Sequence, residues 1–162
     1  MIDMKKGCIL LAMCLLLLTS CSRTESPAGS LSQMIERIQN AISSTENFVM
    51  ADEDFTADHI GSPTYLEESA ICFAAEGKTR EFGVFRLADN SQASEYKQII
   101  RAYLQNEREA LSSLAELYPA EEIEERLALY DNATVGSEGM LVYYFVLDKA
   151  ETQRALAALT GG

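Results

Sequence analysis

Apolar positions follow three different patterns along this 162-residue chain, and each pattern predicts a different kind of element. An uninterrupted apolar run without charge extends from Gly7 to Leu18, directly behind Lys5 and Lys6. Leu31, Met34, Ile35, Ile38 and Ile42 then recur at helical spacing. With Ser30 and Gln33 as a capping box, they predict an amphipathic helix from about Leu31 to Ser44. Asp52 to Ile60 adds a short helical turn that Gly61 and Pro63 stop. Two strand-like runs follow, Glu68 to Ala75 and Glu81 to Leu87, rich in aromatic and β-branched residues. The gap between them, Glu76 to Arg80, contains Gly77, so the pair predicts a hairpin.

Asp89, Asn90 and Ser91 offer caps to a long helix whose apolar face includes Tyr96, Ile100, Tyr103, Leu104, Leu111, Leu114 and Tyr118, before Pro119 ends or bends it. Ala120 to Leu129 continues as a shorter acidic helix or loop. A second hairpin is predicted from Ala128 to Val135 and Met140 to Leu147, about a Gly136-Ser137-Glu138-Gly139 turn. Its second strand, MLVYYFVL, is apolar on both faces and should be the most buried. Asp148 and Glu151 repeat the capping-box pattern and open a terminal helix that packs through Ala150, Ala155, Leu156 and Leu159. The expected fold is α+β in the order α-β-β-α-β-β-α: a four-stranded antiparallel sheet built from two hairpins, with helices packed mainly on one face.

The opening run is too short for a permanent span. Twelve residues of helix cover roughly 18 Å of a hydrocarbon layer ~30 Å thick. A secretory signal fits better, and its end, Leu18-Thr19-Ser20-Cys21, looks like a bacterial lipobox. In proteins with that pattern the cysteine sulfur takes up a diacylglyceryl group and the chain is cut just before it; thiol nucleophilicity explains the residue type. An ordinary signal peptide with an incidental cysteine is the competing reading, and the basic flank, short run and terminal cysteine together argue against it. The expected division is therefore a lipoprotein signal peptide over 1–20, a lipid-anchored flexible tether over 21–29 and a single α+β domain over 30–162. Lipid on Cys21 would hold the chain on the extracytoplasmic face of the cell membrane, since two acyl chains suffice for stable attachment.

Composition narrows the partners. A formal charge of −12 repels nucleic acid, whose binding depends on phosphate contacts from Lys and Arg, and it repels anionic headgroups as well. Cys8 and Cys14 leave with the signal peptide, so with Cys21 lipidated only Cys72 remains and no disulfide can form within the mature chain. Ala70, Ile71, Phe73 and Ala74 around it predict a buried, inert thiol.

From Leu31 to Leu159 the pattern resembles a family of small lipoproteins of Gram-positive, mostly clostridial bacteria, catalogued as domain of unknown function 4358. The likeness is carried by EFGVFRLADNSQASEYKQIIRAYL, Glu81 to Leu104, and by LYDNATVGSEGMLVYYFVL, Leu129 to Leu147. It implies a lipid-anchored extracytoplasmic domain. No activity and no catalytic residue come with it. In a Gram-positive source the outer face of the plasma membrane is the expected location; in a Gram-negative one, Ser22 leaves outer-membrane sorting open.

Reactive chemistry has few candidates. Asp52, Asp54, Asp58 and His59 mimic the start of a calcium loop, but Ala57 replaces the needed glycine and Pro63 stands where the bidentate Glu belongs. Zinc wants more His or Cys than one histidine supplies. A helical segment would put Phe55 and His59 on one face, predicting a half-buried histidine. Glu76-Gly77-Lys78-Thr79 has the tail of a phosphate loop without its first glycine, since Cys72 is there, and lies between strands. Glu67, Glu68, Glu121, Glu122, Glu124 and Glu125 read as solvated faces, and no nucleophile elbow occurs. No catalytic residue and no cofactor are expected. The expected function is a non-enzymatic interaction or binding module for an envelope protein or polymer, and the alternative is a small metal-dependent or hydrolytic enzyme using Asp52 to His59.

Overall fold

Residues 81 to 87 and 141 to 147 are apolar at nearly every position, and in the computed structural model they lie side by side at the centre of one sheet. The structure describes residues 29–42, 47–75, 79–115 and 117–161. The expected signal segment, Cys21 and most of the expected tether lie outside the described residues, as do Glu76, Gly77 and Lys78 between the first two predicted strands. In chain order the elements are α1 (Leu31–Ile42), β1 (Phe48–Met50), β2 (Leu66–Ala74), β3 (Glu81–Leu87), α2 (Ala93–Ser113), α3 (Ala120–Asp131), β4 (Thr134–Glu138), β5 (Leu141–Val146) and α4 (Lys149–Thr160). A wide helical turn, Thr56–Ile60, follows β1, and a 3₁₀ turn, Asn90–Gln92, leads into α2. The fold is α+β. All strand pairs are antiparallel, in the order β1-β2-β3-β5-β4.

The layering and the strand count depart from the sequence expectation. Helices cover both faces of the sheet instead of mainly one. Phe82 and Val84 of β3, with Leu141 and Phe145 of β5, pack under α1 and α4 through Met34, Ile35, Ile38, Ala155 and Leu159. The alternate positions Phe85, Leu87, Val142, Tyr144 and Val146 pack under α2 through Tyr96, Ile100, Tyr103 and Leu104. Because side chains alternate along a strand, residues apolar at both parities need cover on both sides. The sheet also has five strands instead of four. The extra one, Phe48–Met50, is a three-residue edge strand whose Val49 and Met50 stay more than half exposed, too short to show an alternation.

Local chemistry sets the element ends. Ser30 Oγ accepts from Gln33 N–H at 3.3 Å while Gln33 Oε1 accepts from Ser30 N–H at 3.4 Å, the reciprocal capping box. Asp148 Oδ1 accepts from Glu151 N–H at 2.8 Å and starts α4. Ala120–Asp131 is a helix throughout, so β4 begins at Thr134, later than its sequence suggested. The β4–β5 turn narrows to Gly139-Met140, with Gly139 at φ 56°, the left-handed first position that a two-residue hairpin turn demands. Among the described residues no helix is long and apolar enough to cross a membrane.

Candidate functional site

The first residue of β3 is a carboxylic acid in phase with the core. Gly83, Phe85 and Leu87 share its face, so strand alternation carries Glu81 beneath α2, where it is 2% exposed. Three tyrosine hydroxyls from three elements converge on it. Tyr103 of α2 donates to Oε2 at 2.9 Å, Tyr144 of β5 donates to the same oxygen at 3.3 Å, and Tyr130 of α3 donates to Oε1 at 3.5 Å. Tyr144 reaches it because its cross-strand partner is Gly83. A Cβ on Gly83 would stand 2.4 Å from the Tyr144 ring and 3.0 Å from that of Phe85, so glycine is what lets the tyrosine lie across β3.

Burial pushes the Glu81 carboxyl up to about 7; the bond from Tyr103 opposes the rise, the Glu107 carboxylate adds to it, and Tyr144 and Tyr130 oppose it further. The same burial, with the Glu81 charge beside them, raises Tyr103, Tyr130 and Tyr144 above the ordinary phenol value. The hydroxyls therefore keep their protons and serve as donors.

Above this group lies an open cleft of about 410 Å³. Phe55, Phe73, Leu111 and Leu114 supply apolar wall, and Glu107, Arg126 and His59 supply polar groups. The helical turn at 56–60 hangs His59 at the rim, stacked on Phe55 with ring centroids 4.4 Å apart. Helical spacing does put these two side chains together, although His59 is exposed instead of half-buried. No family model, no curated protein and no solved structure matches this chain.

Of the four residues singled out in the calcium-like stretch, His59 alone lines the cleft. Asp52, Asp54 and Asp58 are exposed, and among the described residues no three His, Cys, Asp or Glu side chains are grouped to hold a metal ion. Glu67, Glu68, Glu121, Glu122, Glu124 and Glu125 are exposed as well. Cys72 is fully buried, accepts from Gln39 Nε2 at 3.6 Å, and is pushed up to about 11 by burial, which leaves it a poor nucleophile. Cys21 lies outside the described residues.

Sequence reasoning passed over Glu81, Tyr103, Tyr130 and Tyr144. One signal was available: a single acid at a core-facing parity of an otherwise apolar strand must find donors, and tyrosines on the apolar faces of neighbouring elements are the residues that supply them. The assembly can accept a hydrogen bond or a positive charge from the cleft side, or exchange a proton near neutral pH.

Proposed function

We propose that the chain is a lipid-anchored, extracytoplasmic protein of the cell envelope that works as a non-enzymatic binding module, with the cleft over Glu81 as its ligand seat. The basic flank, apolar run and Leu18-Thr19-Ser20-Cys21 support the anchor and, with it, the extracytoplasmic setting. One observation carries the seat: an open, partly aromatic cleft whose floor is a buried carboxyl held by three hydroxyls. The Tyr103, Tyr130 and Tyr144 hydroxyls are shifted upward, the wrong direction for activating them as nucleophiles, which supports their role as donors to Glu81.

The seat also lies away from Gly29. Arg86, near the far end of β3, donates through Nη2 to the Gly29 carbonyl at 2.9 Å, and five residues of strand, roughly 17 Å, separate it from Glu81. An anchored chain would thus present the cleft at the end of the sheet away from Gly29.

The test is cross-linking of the anchored protein in its native host, followed by mass spectrometry of what is attached. A reproducible envelope protein or glycan, lost when the exposed cleft residue Leu114 is changed to Lys, supports the module and its seat. Attachment that is unchanged in Leu114→Lys moves the seat elsewhere, and none above background refutes the module. The second reading, a small metal-dependent or hydrolytic enzyme using Asp52 to His59, draws support from His59 sharing the cleft with Glu81. Melting in the presence of calcium or zinc tests it, since a ligand of the folded state must raise the melting temperature.

A further inference from the structure

The charge balance around Glu81 points to a ligand chemistry. The groups acting on its carboxyl are the Tyr103, Tyr130 and Tyr144 hydroxyls and the Glu107 carboxylate, which are neutral or negative. Of the two nearby arginines, Arg80 forms an ion pair with Glu151, and Arg126 lies 3.7 Å from Glu122 on its own helix. A buried carboxylate is stabilised by a counter-charge far more than by neutral donors alone. Its two oxygens are also unequally used. Among the described residues Oε2 accepts from Tyr103 and Tyr144, whereas Oε1 accepts from Tyr130 alone, at 3.5 Å. Acceptor capacity therefore remains on a carboxyl that itself lines the cleft.

A metal ion is a poor match for that position. Calcium takes six to eight oxygens and magnesium an octahedral set, and among the described residues no three candidate ligands are grouped. An organic cation needs fewer: one carboxylate, aromatic faces for its positive charge and an apolar wall for its carbon chain. Phe55, Phe73 and Tyr103 offer the rings, and Leu111 and Leu114 continue the wall outward. Resting on the binding-module reading, we propose that this cleft takes a ligand bearing a primary ammonium group on an aliphatic body, the ammonium seated against Oε1 of Glu81 and the body along Leu111 and Leu114.

Hexylamine is the probe, with hexanoate as the charge-reversed control, titrated calorimetrically into the full chain in non-ionic detergent. Saturable hexylamine binding at pH 8 without saturable hexanoate binding is expected. Ionisation of a carboxyl near 7 makes amine binding about tenfold weaker at pH 6 than at pH 8. The ionisable groups facing Glu81 are Tyr103 and Glu107 on α2, Tyr130 on α3 and Tyr144 on β5; Arg126 and His59 complete the charged and titratable cleft lining with Arg80. Glu81→Gln should bind at least tenfold more weakly and lose the pH dependence, while His59→Gln, which removes the sole imidazole, should keep it. Leu114→Lys, at an exposed wall position, should abolish binding without touching the core.

Absence of saturable hexylamine binding at pH 8, or equal binding by Glu81→Gln, overturns the assignment. If it fails while native-host cross-linking still captures an envelope component that Leu114→Lys loses, the amine chemistry is wrong and the binding module stands. Failure of both experiments removes both.

Discussion

Replacing Glu81 by Gln should make the protein more stable at pH 8, a result opposite to the usual effect of altering a buried hydrogen-bonded residue. The carboxyl is raised from 4.5 to about 7 in the folded chain, chiefly by burial. In the unfolded chain it ionises first as pH rises, so between those values the folded state holds a proton that the unfolded state has released. Stability then falls with rising pH across that window, is fully present below 4.5, and has lost its whole contribution above about 7. At about 1.4 kcal/mol per tenfold change, the penalty at pH 8 is about 3 kcal/mol. The amide of Gln has nearly the same shape, carries no charge at any pH and still offers an oxygen to Tyr103 or Tyr144. The variant should match the wild type within about 1 kcal/mol near pH 4.5 and exceed it by up to about 3 kcal/mol at pH 8.

Urea unfolding of the full chain in non-ionic detergent, followed by circular dichroism at half-unit steps from pH 5 to 8, reads the difference directly. With a slope of about 2 kcal/mol per molar urea, the two midpoints should separate by about 1.5 M at the alkaline end. Asp89, Asp131 and Asp148 are lowered below their ordinary value of 3.8, so the stability they add is present above that value and is lost only at more acid pH. Glu151 is raised by its own burial, but it is present in both proteins and cancels from the comparison. A constant separation at every pH would refute the assignment of an uncompensated buried carboxyl. A wild type that gains on the variant as pH rises would mean that Glu81 has a cationic partner.

Gly83→Ala should destabilise by about 1–3 kcal/mol, because the new methyl group overlaps the Tyr144 ring and cannot be relieved without moving it off Glu81; an unchanged urea midpoint would contradict the close approach. The Cys72 peptide, followed by mass spectrometry after iodoacetamide treatment, should stay unmodified in the folded chain and react in urea, since the thiol is buried and its thiolate disfavoured; equal labelling in both would show that the strand opens. Cys21→Ser should abolish labelling by a tagged fatty acid and release the chain into the medium or leave it unprocessed, and normal labelling and processing of that variant would end the lipobox reading.

Much of the local structure was written in the periodicities. The helical spacing from Leu31 to Ile42, the bounds of Glu81–Leu87 and the cap at Asp148 all follow from side chains within a few residues of one another. The both-face burial was also legible in MLVYYFVL, yet a rule drawn from hairpins, which commonly leave one face of a sheet open to water, pointed to a single helical layer. Phe48–Met50 carried too few residues to form a pattern and became a strand only because Cys72, Phe73 and Ala74 presented an edge to it. TVGSE, Thr134 to Glu138, has little strand character of its own and takes its conformation from pairing with the strongly apolar β5.

By itself, then, the amino-acid order determined the helices, the strands β2, β3 and β5, the α+β class and the apolar setting of Cys72, because each depends on neighbours in the chain or on their periodicity. The site depended on tertiary structure alone. Tyr103, Tyr130 and Tyr144 stand 22, 49 and 63 residues from Glu81, and no local pattern links them. Sheet register sets Tyr144 opposite Gly83, and the packing of α2 and α3 over that face brings in the other two hydroxyls. Burying a lone carboxyl without donors costs several kcal/mol, so only a fold that assembles all three around it can place Glu81 beneath that cleft.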